Sequence, residues 1–110
     1  MSEVEVSTPE AAINGLRAKL DAVDEQLMAL IIERCRIGGA IGHIKATCCM
    51  PIHQPEREQE VLYRCITAAG ANQLNPIRVR EIWRHLMAMS ADRQVLVGWR
   101  AHGERSEQNA

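Results

Sequence analysis

Residues 9–45 read PEAAINGLRAKLDAVDEQLMALIIERCRIGGAIGHIK and carry one uninterrupted helical pattern. Apolar side chains recur there in steps of three and four, and only Arg34 puts a polar residue in the series. Thr8 is a good N-cap, and Pro9 suits the first helical position, where its missing N–H costs nothing. The pattern predicts a helix from about residue 10 to about residue 46. We call its apolar residues the seam: Ile13, Leu16, Leu20, Val23, Leu27, Leu30, Ile37, Ile41 and Ile44.

Two shorter helices are predicted after this long one. Acidic residues follow Pro55, where the dipole at the start of a second helix favours them, and residues 70–74 form its closing turn. Asn75 and Pro76 are the N-cap and the first residue of a third helix, which is predicted to end at Val97. No strand-like alternation follows the N-terminal tail, so we expect an all-α fold. The expected organisation is a tail at 1–9, a helical domain at 10–97 and a frayed polar tail at 98–110.

The composition limits the class of protein. At 110 residues the chain is expected to form a single domain. Phe is absent and aromatic residues make up 3%, which favours a core of aliphatic side chains packed between helices. The net charge of −1 provides no field that would recruit nucleic acid or an anionic membrane. The N-terminal residues lack a secretion-signal pattern and no apolar run is long enough to cross a bilayer, so the expected compartment is the cytoplasm.

The length of the first helix has a consequence for assembly. A helix over residues 10–46 is about 55 Å long, whereas a compact domain of 100 residues has a radius of gyration of about 13 Å. The two shorter helices therefore cannot cover the whole seam within one compact monomer. Because soluble proteins rarely leave a long apolar stripe exposed, we predict a homodimer in which two long helices pack together.

Several polar residues lie on helix faces that are otherwise aliphatic. An unpaired buried charge is costly, and a single carboxylate, Glu58, cannot satisfy three cations. The pattern therefore predicts a pocket with surplus positive charge that suits an anion, such as a dicarboxylate. Taken singly, each long cationic side chain could instead reach solvent at a helix end. The inward-facing polar residues are Arg34, Lys45, Arg57, Glu58, Ser90 and Gln94.

Other kinds of site find little support in the sequence. There is no Gly-x-Ser-x-Gly motif, no recognisable Cys–His motif and no Gly-rich phosphate loop after a strand. Cys48 and Cys49, with His43 and His53 nearby, match no common zinc spacing, so we expect no metal. Glycines at 38, 39 and 42 are expected to permit a close helix contact. The chemistry should therefore depend on positioning and electrostatics.

In this arrangement the chain resembles the all-helical chorismate mutase family over about residues 10–97. The resemblance is carried, in family-like order and spacing, by LRAKLDAVDEQL at 16–27, IIERCRIGGAIGHIK at 31–45, PEREQEVL at 55–62 and MAMSADRQ at 87–94. It implies an interlocked homodimer with a long first helix. The implied activity is the rearrangement of chorismate to prephenate in aromatic amino-acid biosynthesis, with no metal or organic cofactor.

The same resemblance implies roles for individual residues. Arg17 would reach from one subunit into the pocket of the other and bind a substrate carboxylate. Arg34 would hold the second carboxylate, with assistance from Ser90 at a carboxylate. Lys45 and Gln94 would donate to the ether oxygen whose carbon–oxygen bond breaks. A neutral Gln can donate at any pH, whereas a Glu would first need a proton.

The resemblance also bears on three further residues. Glu58 would accept a hydrogen bond from the ring hydroxyl, and Arg57 would help to hold the site together. Gln54 stands where the family often has an acidic residue that helps to bind this hydroxyl. This departure leaves the exact substrate open.

Three alternative functions remain on sequence grounds. Isochorismate pyruvate-lyases have a similar Pro-Glu-Arg segment, but Glu58 and Ser90 favour the mutase. A mutase for 4-amino-4-deoxychorismate is harder to separate, because Gln54 breaks the pattern at the ring substituent. A non-catalytic helical dimer, such as a regulatory module, would pair its inward polar residues with one another and have no pocket. Nucleic-acid binding is disfavoured, because the basic residues do not collect on one exposed helix and aromatic residues are few.

Overall fold

The structure is a computed structural model that describes the backbone of residues 8–109 and the side chains of residues 8–99. Within this range the protein consists of three helices and no strand, which confirms the predicted all-α fold. Helix α1 spans Pro9–Cys48, α2 spans Pro55–Ala71 and α3 spans Pro76–Asn109. None of them has a stretch long and apolar enough to cross a membrane. Residues 1–7, which bear on the predicted N-terminal tail and compartment, lie outside the described residues.

The helix starts follow the capping residues of the sequence. Thr8 Oγ1 accepts a hydrogen bond from the Ala11 amide at 3.0 Å, and Asn75 Oδ1 accepts one from the Ile77 amide at 3.0 Å. Both predicted N-caps are therefore confirmed. At the start of α2, Gln54 occupies the N-cap position in an extended conformation, but its side chain makes no capping hydrogen bond. That carboxamide is consequently not used by the helix that it precedes.

Helices α1 and α2 end in the same C-terminal motif. The Met50 amide donates to the Lys45 carbonyl at 2.8 Å, and the Leu74 amide donates to the Ala69 carbonyl at 2.9 Å. In each case the residue before the donor is left-handed, with φ of 57° at Cys49 and 60° at Gln73. This is the Schellman arrangement, in which glycine is the preferred left-handed residue. Neither position carries glycine, so the sequence offered no such signal for either helix end.

The left-handed residue after α2 allows a test of backbone strain. We expect Gln73→Gly to raise the free energy of unfolding by about 0.5–1 kcal/mol, because a Cβ is disfavoured in this conformation. The matched control is Gln59→Gly in the interior of α2, where glycine should lower the free energy of unfolding by about 1 kcal/mol. Urea unfolding of both variants measures the two effects. Equal destabilisation by both substitutions would contradict the strain at position 73.

The predicted end of the third helix at Val97 is wrong, because α3 continues to Asn109. The polar composition after Gly98 suggested fraying, but polarity alone does not prevent a helix. Glycines at 98 and 103 each cost about 1 kcal/mol relative to alanine, whereas the Arg, Ala, Glu and Gln residues around them are good helix formers. The division into a domain at 10–97 and two tails stays a prediction.

The chain divides after Ile32 into two units. The first unit contains the N-terminal part of α1, and its seam residues are exposed within one chain, from 47% for Ile13 to 60% for Leu20. The second unit begins at Glu33 and contains the rest of α1 together with α2 and α3. The buried residues of α1 all belong to the second unit, and they are Gly38, Gly39, Gly42 and Lys45.

Candidate active site

A cavity of about 460 Å³ lies within the second unit, bordered by α1, α2, α3 and the segment between α1 and α2. This volume falls in the range of pockets that bind small organic ligands, about 300–1,000 Å³. Aliphatic residues such as Ile37, Ile41 and Val61 form part of its wall. Its polar lining consists of Arg34, Lys45, His53, Gln54, Arg57, Glu58, Ser90 and Gln94.

The cavity brings together every residue of the predicted site except Arg17. The residues that converge come from three helices, as the sequence pattern predicted, and from the connecting segment, where Gln54 was implied by the resemblance alone. Arg17 belongs to the first unit, where its Nη1 donates to Asn14 Oδ1 at 3.4 Å. Its expected role involves a second chain, so that role stays a prediction. The catalytic roles of the converging residues also stay predictions at this point.

Lys45 is a buried cation in the cavity wall. Its side chain is 8% exposed, and among residues 8–99 it is the one buried polar or charged residue besides glycine. Its Nζ donates to the Ile52 carbonyl at 2.7 Å and to Gln94 Oε1 at 2.9 Å. Because an ammonium group has three N–H donors, one of them remains for a ligand in the cavity.

Gln94 faces Lys45 with the oxygen of its carboxamide. Its Oε1 accepts from Lys45 Nζ, which leaves the two N–H donors of Nε2 free of this contact. A lysine on one side therefore orients the amide so that its donors are available to a ligand. The pair presents N–H groups from two different helices to the same cavity.

Arg34 is held against α3 by hydrogen bonds to two uncharged groups. Its Nη1 donates to Ser90 Oγ at 2.8 Å and to the Leu86 carbonyl at 3.0 Å. A guanidinium carries five N–H donors, so these bonds orient the group and leave further donors for an anion. The Ser90 hydroxyl accepts from Arg34, and its own proton is therefore available to a second acceptor.

The carboxylates near the cavity do not pair with Arg34 or Lys45. Glu58 Oε2 lies 3.5 Å from His53 Nδ1, and Arg57 forms an ion pair with Glu60 one turn further along α2. Among the described side chains, Arg34 and Lys45 have only neutral hydrogen-bond partners. Two cations of the cavity are thus without a carboxylate partner, which makes the cavity suitable for an anion.

A second cavity of about 620 Å³ adjoins the first within the second unit. It shares Arg34 and Arg57 with the first cavity and extends between α2 and α3 towards Cys65 and Trp83. Burial raises the pKa of the Cys65 thiol, against the lowering effects of Arg64 and Arg34. A raised pKa keeps this thiol neutral, as in a cysteine that packs as a small apolar side chain.

Some contacts of the site had no counterpart in the sequence analysis. The carbonyls of Ile52 and Leu86 hold Lys45 and Arg34, but every residue has a carbonyl and no sequence signal marks these two. On sequence grounds His53 stands out only as a neighbour of Cys48 and Cys49, whereas in the structure it lines the cavity. Both cysteines are free and exposed, and no group of metal-binding side chains occurs in the described part of the chain.

Known proteins are similar to this chain over much of its length. The family profile described as chorismate mutase type II matches residues 16–95. The bifunctional chorismate mutase/prephenate dehydratase of Escherichia coli (strain K12) is 35% identical over 68 residues, which cover 62% of this chain and 18% of that protein. The enzyme of the same name from Aquifex aeolicus (strain VF5) is 39% identical over 54 residues, which cover 49% of this chain and 15% of that protein.

Two further similar proteins are matched over very different shares of their own length, 21% for one and 99% for the other. The T-protein of Enterobacter agglomerans is 30% identical over 80 residues, which cover 73% of this chain and 21% of that protein. This chain thus matches about a fifth or less of the length of these curated relatives. A solved structure of a conserved hypothetical protein from Pyrococcus furiosus matches with a TM-score of 0.63 and 35% identity, covering 81% of this chain and 99% of that one.

Proposed function

Because this chain belongs to the chorismate mutase type II family, we propose that it catalyses the rearrangement of chorismate to prephenate in aromatic amino-acid biosynthesis. The observation that carries the proposal is the cavity in which Arg34 and Lys45 have only neutral partners. A dicarboxylate supplies the missing negative charge. The reaction is an isomerisation in which one carbon–oxygen bond breaks and one carbon–carbon bond forms, so it requires no nucleophile from the protein.

Arg34 is the ligand of one substrate carboxylate in this proposal. Its orientation by the Leu86 carbonyl and Ser90 Oγ leaves guanidinium donors for one substrate carboxylate, and the Ser90 hydroxyl can donate to the same group. Side chains fixed in this way hold a flexible substrate in its folded, reactive geometry. This positioning lowers the entropy that must be lost in the transition state.

The bond-breaking step takes place beside Lys45 and Gln94. Negative charge grows on the ether oxygen as its carbon–oxygen bond lengthens, and the free N–H of Lys45 and an N–H of Gln94 donate to that oxygen. Since this charge is larger in the transition state than in chorismate, the two donors stabilise the transition state preferentially. Neither donor has to transfer a proton.

The ring of the substrate lies near the start of α2. Glu58 lines the cavity and accepts from the ring hydroxyl, while its other neighbour is His53 at 3.5 Å. The Gln54 carboxamide makes no capping bond and is available to the same hydroxyl. Arg57 also lines the cavity, and its ion pair with Glu60 fixes it to the first turns of α2.

A homodimer completes the site in this proposal. The exposed seam of the first unit is too apolar to remain in water, and a second copy of the chain is the partner whose own seam matches it. The second cavity, between α2 and α3, has apolar residues such as Val79, Ile82 and Trp83 in its wall and offers a further surface for the long helix of the partner. Arg17 of that helix then supplies the cation for the second carboxylate of the substrate.

Hybrid dimers test the contribution of Arg17 across subunits. Arg17→Ala and Arg34→Ala should each give an almost inactive homodimer, because each removes one carboxylate ligand from both sites. Co-refolding the two variants in equal amounts should restore about a quarter of wild-type activity, since half of the dimers are hybrids with one intact site of two. If Arg17 acted within its own subunit, no hybrid site would be intact and the mixture would stay inactive.

The activity itself is tested with three substrates in parallel. Purified protein is mixed with chorismate, with isochorismate and with 4-amino-4-deoxychorismate, and the loss of substrate absorbance and the product are followed. Prephenate from chorismate supports the proposal. Pyruvate release from isochorismate would identify a lyase, and turnover of the amino analogue alone would identify the other mutase. No turnover of any substrate would favour the non-catalytic dimer.

A further inference from the structure

Helices α1 and α3 come into close contact at two glycines in the second unit. A Cβ added to Gly42 would lie 2.5 Å from Gln94 Cα and 2.8 Å from the Gln94 carbonyl oxygen. A Cβ added to Gly38 would lie 3.2 Å from Ser90 Cβ and 3.2 Å from Ser90 Oγ. Gly42 therefore packs against the backbone of α3, where no side-chain rotation can make room, and Gly38 packs against a small side chain.

The residues that face these glycines are the ones that meet the two cations. Gly38 and Gly42 are four residues apart on α1, and Ser90 and Gln94 are four residues apart on α3, so each pair lies along one helix face. The hydrogen bond from Arg34 to Ser90 and the bond from Lys45 to Gln94 lie on either side of this contact, at 2.8 Å and 2.9 Å.

We propose that Gly38 and Gly42 form a positioning pair: the absence of their side chains sets the α1–α3 distance at which Arg34 meets Ser90 and Lys45 meets Gln94. This inference rests on the proposed function of the cavity. Carbon atoms in ordinary contact are about 3.5–4.0 Å apart, so a methyl group at position 42 requires α3 to move by about 1 Å. A displacement of about 1 Å in a site that works by positioning can cost about a hundredfold in rate.

A third glycine in the same helix provides the matched control. A Cβ on Gly39 would lie 3.2 Å from Val97 Cγ2 and 3.3 Å from Arg93 Cγ, both in side chains that can move. Gly39→Ala makes the same chemical change in the same turn of α1 without meeting the backbone of α3. It also gains the higher helix propensity of alanine, about 1 kcal/mol.

The experiment measures kcat and KM for chorismate in the three alanine variants. Gly42→Ala should lower kcat by about tenfold to a hundredfold with little change in KM, because it disturbs the donors at the ether oxygen. Gly38→Ala should mainly raise KM, because it displaces Ser90 from Arg34. Gly39→Ala should leave both constants near the wild-type values. Circular dichroism, thermal unfolding and the oligomeric state are recorded for each variant.

A double variant separates positioning from a general effect on packing. If Gly42→Ala acts through the Lys45–Gln94 contact, it should cost far less in a Gln94→Ala background than in the wild type. Equal losses in both backgrounds, or a folded Gly42→Ala with wild-type kcat, would overturn the proposal. If Gly42→Ala does not fold, Gly38→Ala decides: an unchanged KM overturns the proposal. Turnover of chorismate by the wild type tests the proposed function by itself. The positioning role of the glycines is tested by the ratio of each variant's kcat and KM to the wild-type values.

Discussion

Lys45→Ala is expected to lower kcat by about a hundredfold to a thousandfold while the protein stays folded, because it removes a fixed donor from the developing charge. The N–H that Lys45 leaves free is one of two donors assigned to the ether oxygen. Loss of the ammonium also removes the hydrogen bond to Gln94 Oε1, so the Gln94 carboxamide is no longer held in its orientation. Steady-state kinetics with chorismate, together with a thermal unfolding curve, measures both consequences.

The chain supplies its own control for this substitution. Lys19 and Lys45 are its two lysines, both lie on α1, and Lys19 is exposed in the first unit. Lys19→Ala removes an equal charge and should leave kcat unchanged. A Lys45→Ala protein that is folded and keeps near-normal turnover would refute the electrostatic account of the ether oxygen.

Gln94→Glu is expected to make a pH-independent step strongly pH-dependent. A carboxylate accepts hydrogen bonds but has no proton to donate, so at neutral pH the variant should lose about a hundredfold or more in kcat. Protonation restores a donor at the same place. Activity should therefore rise as the pH falls towards the ordinary glutamic acid pKa of about 4.3, and the neighbouring Lys45 ammonium favours the charged form.

The pH profile has an informative reference variant. Gln94→Ala lacks any group to protonate, so its lower kcat should not recover in acid, and the ratio of the two variants isolates the introduced carboxyl. Profiles of kcat from about pH 8 down to about pH 4 record the onset of this recovery, because the Lys45 ammonium moves its midpoint to the acid side of the ordinary value. A Gln94→Glu protein as active as the wild type at neutral pH would remove Gln94 from the set of donors.

The helices could be predicted because their signals are local. The N-caps Thr8 and Asn75 act on the residues next to them, and they lie where α1 and α3 begin. Pro55 is likewise the first residue of α2. The end of α3 was misplaced because polarity is a weaker signal than the helix propensity of the residues concerned.

The composition of the candidate site was predictable only in part. Helical periodicity places Arg34, Ser90 and Gln94 on inward faces, and the cavity contains all three. Their pairing depends on the register of α1 against α3, which side-chain spacing within a single helix does not determine. Arg57 shows a different limit: periodicity points its guanidinium inward and it does line the cavity, but Glu60, three residues further along the same helix, is also within reach and pairs with it.

The end of α1 at its Schellman turn also determines the electrostatic environment of the buried Lys45 ammonium. Lys45 is the basic residue in the last turn of α1, where the aligned peptide groups present the negative end of their macrodipole. One peptide carbonyl, that of Ile52, and the side-chain amide of Gln94, which carry no net charge, accept hydrogen bonds from this cation in place of water. Among the side chains of residues 8–99 no carboxylate pairs with this ammonium, so an incoming anionic substrate is attracted by a positive charge that is already desolvated.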